Sequence, residues 1–244
     1  ILNIGVVNRF NDGVNELKKL IDEGKLGKIR TVMAEYPQGW LAYEGEWGGK
    51  QGEWRCDPKQ SGGVNCLGDL GTHVENAVAT MTGLKIKRVL AKMDIVVPGR
   101  VLDDNDVVMV EYEGGATGCY WTSQFAIGHK NDLRVRIYGE KGSILWEQEN
   151  CEKVTMVQYD GTFVDLFRGT AGIEDFAAGY GRLPSGHTEG WLESMGNLYK
   201  SFITCLNAND YEVVLILQMF YVALALLGNL LIDIAYGIAD PRVR

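Results

Sequence analysis

The spacing of apolar residues changes character several times along the chain. Val14, Leu17, Leu20 and Ile21 recur at the interval of an amphipathic helix, Asn11-Asp12 stands where an N-cap belongs, and Gly24 supplies a stop. Residues 28–36 then read as a strand, with Ile29, Val32 and Ala34 among the apolar positions. Residues 37–68 are rich in glycine and tryptophan and show little periodicity, which predicts a long structureless loop of the kind that carries function. Helical spacing returns over 69–82, where Val74, Ala77, Val78 and Met81 share a face and Gly83 ends the run. From Ile86 the period becomes two. Strands are predicted at 88–97, 106–113, 116–125, 133–138, 143–148 and 154–159, with turn sequences at Glu113-Gly114-Gly115 and Gly139-Glu140-Lys141-Gly142. A helix over 189–206 follows Pro184-Ser185-Gly186-His187-Thr188. Many sequential strands between helical ends predict an α+β fold with an open, largely antiparallel sheet.

The tail is different. Residues 213–232 carry no charge, a length able to span a bilayer or to form a core or interface helix. Only Arg242 and Arg244 follow it and Asp233 closes it, so the flanks do not favour a membrane. The expected division is 1–206 as one domain and 207–244 as an atypical apolar helix and tail, packed on that domain or at an oligomer interface.

Composition narrows the function. Hydrophobic residues make up 46% and charged residues 23%, as in globular proteins. With 24 Lys+Arg against 32 Asp+Glu the formal charge is −8, which disfavours nucleic acid as a partner. Five scattered cysteines without a CxxC pair fit a reducing compartment, and a cytoplasmic location is expected. The three histidines, His73, His129 and His187, are far apart, and no spacing suits a metal site. The chain opens with Ile1, from which it is expected to be processed or part of a longer polypeptide. No G-x-G-x-x-G, P-loop, G-x-S-x-G or H-E-x-x-H occurs. Gly179-Tyr180-Gly181 runs into Pro184 where a third glycine would stand.

The segment richest in chemistry is Trp54-Arg55-Cys56-Asp57-Pro58, Ser61-Gly62-Gly63 and Gly68-Asp69-Leu70-Gly71-Thr72-His73. On a helix Asp69 and His73 lie four apart on one face, with Asp69 near the N-terminus where the dipole favours a carboxylate. Such a pair can hold a substrate hydroxyl and take its proton, because imidazole titrates near neutrality. The plainer reading is that Asp69 caps the helix and His73 is a core histidine.

These motifs, with Val7-Asn8-Arg9-Phe10, Leu26-Gly27-Lys28-Ile29, Ser123-Gln124, Gly139-Glu140-Lys141-Gly142-Ser143 and Pro184-Ser185-Gly186-His187-Thr188-Glu189-Gly190, come in an order that resembles the C-terminal part of the Gfo/Idh/MocA oxidoreductases. That is the family of glucose–fructose oxidoreductase and inositol dehydrogenase, and the resemblance covers residues 7–205. It implies a C-terminal domain with an open sheet and helices on one face, preceded in the complete enzyme by a Rossmann domain that binds NAD or NADP. The family's D-x-x-x-H falls on Asp69 and His73, with His73 as acid–base on the oxidised carbinol and Asp69 orienting it or the substrate. The family lysine of a Glu-Lys-Pro motif has no counterpart here, and the apolar end of the chain is unlike the family. This chain alone is therefore not expected to bind NAD(H).

Further residues are candidates for the substrate. Tyr36, Gln38 and Trp40 alternate and can point one way, while Trp47 and Trp54 add aromatic surface for a sugar. Arg55 and Asp57 flank Cys56 and can bond vicinal hydroxyls. Alternatively the tryptophans are packing anchors and Arg55 makes a structural ion pair. Gln124 and Asn131 follow the apolar strand at a sheet end, and Arg182 and His187 sit in a Pro/Gly loop before a helix. The expected function is the substrate-binding and catalytic domain of an NAD(P)-dependent dehydrogenase of sugars or polyols, self-associating through its open sheet. The alternatives are a non-catalytic oligomerisation or carbohydrate-binding module, and a module anchored through 213–232.

Overall fold

The computed structural model describes residues 6–43, 49–168, 170, 181–183 and 186–207. Two compact units divide the chain. One is Val6–Asn197; the other takes Leu198–Arg244 with Ile1–Gly5, and of it only residues 198–207 are described. The apolar segment 213–232, Trp47 and the 171–180 stretch lie outside the described residues. Among the described residues no helix is long and apolar enough to cross a membrane.

The first unit is built on one sheet. Helix α1, Asp12–Asp22, is capped by the Asn11 side chain, which accepts from the amides of Gly13 and Val14. Strand β1 is Ile29–Pro37, and helices α2, Gly49–Cys56, and α3, Pro58–Ser61, follow. Helix α4 is Thr72–Thr82. Strands β2 to β8 are Ile86–Asp94, Asn105–Tyr112, Thr117–Ser123, Arg134–Gly139, Gly142–Glu147, Lys153–Gln158 and Phe163–Phe167. Among the described residues the last helix is α5, Trp191–Asn207, of which 191–197 belong to this unit. The strand order is β2-β3-β4-β1-β5-β6-β7-β8, and every pairing is antiparallel except β1 with β4. Two meanders thus flank β1. The turn between β3 and β4 takes Gly114 and Gly115 at φ 81° and 90°, positive values that only glycine adopts without strain.

Helices α1 and α4 cover one face of the sheet. Val14, Leu17, Val74 and Val78 meet Val32, Val135, Ile137 and Trp146 there, all at 1% exposure or less. Each such side chain contributes about 1.5–3 kcal/mol by burial. The opposite face carries Met33, Leu90 and Met109 in the open. Period-two reading finds β3, β4 and β5 because one face is buried and the other is not, whereas β2 is exposed along nearly its whole length.

The structure corrects three expectations. Residues 37–68 are not structureless: α2 and α3 lie inside them. Helix α2 buries only Gly52, so it leaves no apolar stripe to read. Strand β8, an edge strand with Phe163 and Phe167 exposed, was not expected. The helix expected from Asp69 is preceded by a π-turn, Leu67–Gly71, and α4 proper starts at Thr72. The wider turn is possible because a Cβ on Gly71 would stand 2.6 Å from Leu67 Cδ1, and one on Gly68 2.9 Å from Val64 Cγ2.

Candidate active site

The parallel pair β1 and β4 ends at one sheet edge, with Pro37 beside Ser123. The chain turns away from both strands there, and the backbone stays joined just beyond: the Gln38 amide donates to the Ser123 carbonyl (2.7 Å) and the Leu41 amide to the Gln124 carbonyl (3.0 Å). Strand β5 enters from the same edge, Arg134 opposite Glu35, with Asn131 just ahead of it. Three amide side chains, Gln38, Gln124 and Asn131, are thereby brought to one place by topology alone.

They form two hydrogen-bonded chains. In one, Trp40 Nε1 donates to Gln38 Oε1 (2.6 Å), and Gln38 Nε2 and the Tyr36 hydroxyl both donate to Asn131 Oδ1 (2.8 and 2.6 Å). Asn131 is held from behind, its amide donating to Glu149 Oε1 and its carbonyl accepting from Gln148 Nε2. In the other, Asn65 Nδ2 donates to Gln124 Oε1 (2.6 Å), and Gln124 Nε2 reaches Asp69 Oδ2 at 3.5 Å. Arg55 Nε donates to the same Asp69 oxygen at 2.8 Å and Arg55 Nη1 to Gln51 Oε1 at 2.7 Å. The guanidinium lies 4.4 Å from the Trp54 ring centroid and 5.6 Å from that of Trp40, a cation–π stack.

His73 joins the two chains. Its ring stands edge-on to Tyr36, centroids 6.0 Å apart at 88°. Its Nδ1 is buried without a hydrogen-bond partner among the described residues. Burial lowers the imidazole pKa, and the charge of Asp69 opposes that only in part, so the ring is neutral at neutral pH. Burial also raises the Tyr36 hydroxyl, which stays a donor. The arrangement offers a neutral base, a carboxylate anchored by arginine, an aromatic flank and several uncharged polar groups.

Most of the residues singled out in the sequence meet here: Gln38, Trp40, Trp54, Arg55, Asp69, His73, Gln124 and Asn131. Asp57 instead caps α3, its oxygens taken by the Lys59 amide and Gln60 Nε2. Arg182 and His187 belong to a separate cluster around buried Arg168. Arg182 bonds the Glu193 carbonyl and Asn197, and the His187 and Leu183 carbonyls accept from the Arg168 guanidinium. Two members of the site escaped notice in the sequence, Asn65 and Gln51. Gln51 sits in the unperiodic helix α2, and Asn65 falls between glycine pairs with no signal of its own. Among the described residues no three His, Cys, Asp or Glu are placed to hold a metal ion.

A family model for the GFO/IDH/MocA C-terminal domain matches residues 14–145. An uncharacterized oxidoreductase, YfiI, of Bacillus subtilis (strain 168) is 33% identical over 214 residues, 86% of this chain and 54% of the relative. This chain belongs to the Gfo/Idh/MocA family. The fold agrees with that of an inositol dehydrogenase homolog from Azotobacter vinelandii. Its crystal structure complexed with NAD+ matches at TM-score 0.82 and 28% identity, covering 86% of this chain and 55% of that one. The structure of the same homolog complexed with NADH and myo-inositol matches at TM-score 0.79 and 27% identity, covering 86% and 54%. The chain thus spans about half the length of these Gfo/Idh/MocA relatives.

Proposed function

We propose that this chain is the substrate-binding and acid–base part of an NAD(P)-dependent dehydrogenase acting on a hydroxyl of a neutral sugar or polyol. The observation that carries the reading is the neutral, half-buried His73 beside Asp69, at the edge where three amides and a phenol converge. A polyol needs many uncharged donors and acceptors and an apolar flank, and Tyr36, Gln38, Asn131 and Trp40 supply them. Arg55 is committed to Asp69 and Gln51, so it serves as support for the carboxylate rather than as a clamp for an anionic group.

In this reading His73 accepts the proton of the reacting hydroxyl, and the charge of Asp69 supports the imidazolium that forms. A bound nicotinamide supplies the hydride acceptor. The residues present fit the proton half of such a reaction. The sequence carries no G-x-G-x-x-G run, and this reading assigns the cofactor phosphates to residues other than these. The likeness to an inositol dehydrogenase homolog complexed with NADH and myo-inositol supports the polyol class. Five free cysteines support a reducing compartment. The row Leu90, Met109 and Met33, exposed on the open face with half-buried Cys119 among them, supports self-association with a second copy, which sedimentation of the chain at micromolar concentration tests.

The functional test is a panel of neutral polyols and sugars offered with NAD+ or NADP+ to the full-length protein, following reduced cofactor by absorbance. Turnover of at least one, lost on substituting His73, is the expected result. Turnover indifferent to His73 overturns the reading.

A further inference from the structure

Beneath the turn that carries Asp69 lies a second pair of acids that the reaction does not use. Asp103 gathers the backbone immediately ahead of that turn. Its Oδ1 accepts from the Asn65 amide (2.7 Å), its Oδ2 from the Leu67 amide (2.7 Å), and its main-chain carbonyl from the Cys66 amide (3.1 Å). Three successive amides are thus fixed by one residue. The Asn65 carbonyl in turn accepts from the Asp69 amide at 2.8 Å, and the Asn65 side chain holds Gln124. The main chain at Asp69 is thus tied to Asp103 through Asn65, while Arg55 and Gln124 hold its carboxylate.

Asp106, three residues on and at the start of β3, is fully buried. Its Oδ2 accepts from the Thr122 hydroxyl at 3.1 Å, and its Oδ1 has no hydrogen-bond donor. The ionisable groups that face it are Asp103 from its own segment and Cys66 from the turn; β4 contributes Thr122 and no charge. The Cys66 thiol is fully buried, and burial pushes its pKa up, so it stays neutral; it donates toward Thr122 and also toward Asp106, which opposes in part the rise at Asp106. These two buried carboxyl groups interact with each other, and among the described residues no cation acts on Asp106, an arrangement that a proton on one of them satisfies. Asp103 already receives two amide N–H bonds and is the acceptor; Asp106 is the one left to carry the proton.

We propose that Asp103 and Asp106 form a single-proton acid pair that positions the Asp69 turn, Asp106 donating and Asp103 receiving. Both are positioning residues, and the proposal rests on the reading of Asp69 and His73 as the reacting pair. Burial, with the charge of Asp103 next in weight, raises Asp106 from 3.8 to about 7, so the proton leaves around neutrality. Its loss sets two charges against each other and loosens the hold on Asn65 and Leu67.

The test is a titration of the full chain by NMR from pH 5 to 9, following the amides of Asn65, Leu67 and Asp69. In the unmodified protein all three are expected to move together with a midpoint near 7. Asp106→Asn keeps a donor toward Asp103 and removes the ionisation, so the amides should stay at their low-pH positions throughout. Asp106→Ala has no donor and should show the high-pH positions at every pH, with amide exchange at Asn65 and Leu67 faster by about tenfold or more. In the full-length enzyme the alkaline limb of turnover should move upward in Asp106→Asn. Amides that do not titrate in the unmodified chain, or that titrate alike in Asp106→Asn, overturn the proposal. The catalytic reading fails separately, through an active His73→Ala enzyme, and the titration stands whatever that result.

Discussion

Two polar clusters in the first unit use nearly the same residue types and reach opposite ends. Around Arg168, 5% exposed in its side chain, stand Asp12, Glu152 and Glu189 at 3.4, 3.1 and 3.1 Å, and the guanidinium also bonds two main-chain carbonyls. The Glu189 side chain accepts from the amides of Arg182 and Leu183. The space left among Asp12, Glu16, Glu152 and Arg168 is about 10 Å³, room for no more than a water molecule. At the sheet edge, by contrast, the one arginine is tied to one carboxylate, and the neighbouring histidine is neutral with a ring nitrogen unpartnered. The first cluster commits its charges to ion pairs that fasten residues 181–183 and 186–190 to α1 and the sheet, although Asp12 Oδ2, Arg168 Nε and Glu189 Oε2 make no hydrogen bond among the described residues. The second keeps a base and a polar wall uncommitted. Arginine, carboxylate and histidine therefore mark a site only where their hydrogen-bonding capacity is not already used by the fold.

That contrast can be broken from either side. Arg168→Met removes the cation shared by three carboxylates and leaves them buried and uncompensated, which costs about 3–5 kcal/mol. Urea unfolding should show that loss, while the Asp69 and His73 resonances of the folded protein stay in place. A loss below about 1 kcal/mol would show that the cluster is not the clasp described. Asp12→Asn acts in the other direction. Burial raises Asp12 from 3.8 to about 6 despite Arg168 and the Gly13 amide. A carboxyl raised in the folded state favours folding most below its unfolded value, and that favour is lost as pH climbs from about 4 to 6. The asparagine variant should thus be more stable at pH 7, by up to about 3 kcal/mol. The gain should vanish near pH 4, and equilibrium unfolding at the two pH values reads it. Smallest is Tyr36→Phe, which takes one neutral hydrogen bond from Asn131. It should leave the melting temperature nearly unchanged and weaken polyol binding to the full-length protein by roughly 3- to 10-fold, about 1 kcal/mol. Calorimetric titration with the preferred polyol gives the ratio, and an unchanged affinity would remove the phenol from the substrate wall.

The parts legible in the sequence were those written in periodicity and in turn chemistry. Helix α1 was readable from Val14, Leu17 and Leu20, and β3, β4 and β5 from alternation, because each buries one face only; β2 is exposed on both faces and was found without that contrast. Strand β8 was not readable, since its phenylalanines stand exposed at an edge while Val164 and Leu166 are only half-buried, so hydrophobicity does not alternate with burial. Helix α2 was hidden for the same reason, burying only a glycine. Within the site, Asp69 and His73 stood out as a motif and Gln38, Gln124 and Asn131 as polar residues at strand ends. What brings those three amides together is the parallel pairing of β1 with β4, residues more than eighty apart in sequence, and no local signal encodes a long-range pairing. Asp57 drew attention beside Cys56, and Arg182 and His187 by their Pro/Gly loop; the structure commits the Asp57 carboxylate to a helix cap, the Arg182 guanidinium to Glu193 and Asn197, and of His187 only the main-chain carbonyl to Arg168. The Asp69 turn was read as an ordinary helix start because a π-turn differs from it by a single inserted residue, which leaves the apolar spacing of Val74, Ala77 and Val78 intact.

The central claim is that His73 moves a proton while the fold does not depend on it. Turnover and melting temperature of full-length His73→Ala, measured side by side with the unmodified enzyme, test it most directly. Acid–base assistance is worth about 10²–10⁴-fold, so the account predicts a loss of that size in turnover with a melting temperature changed by no more than a few degrees. A half-buried histidine that only fills space would give the reverse: a lowered melting temperature with turnover per folded molecule near normal, and that result would contradict the account.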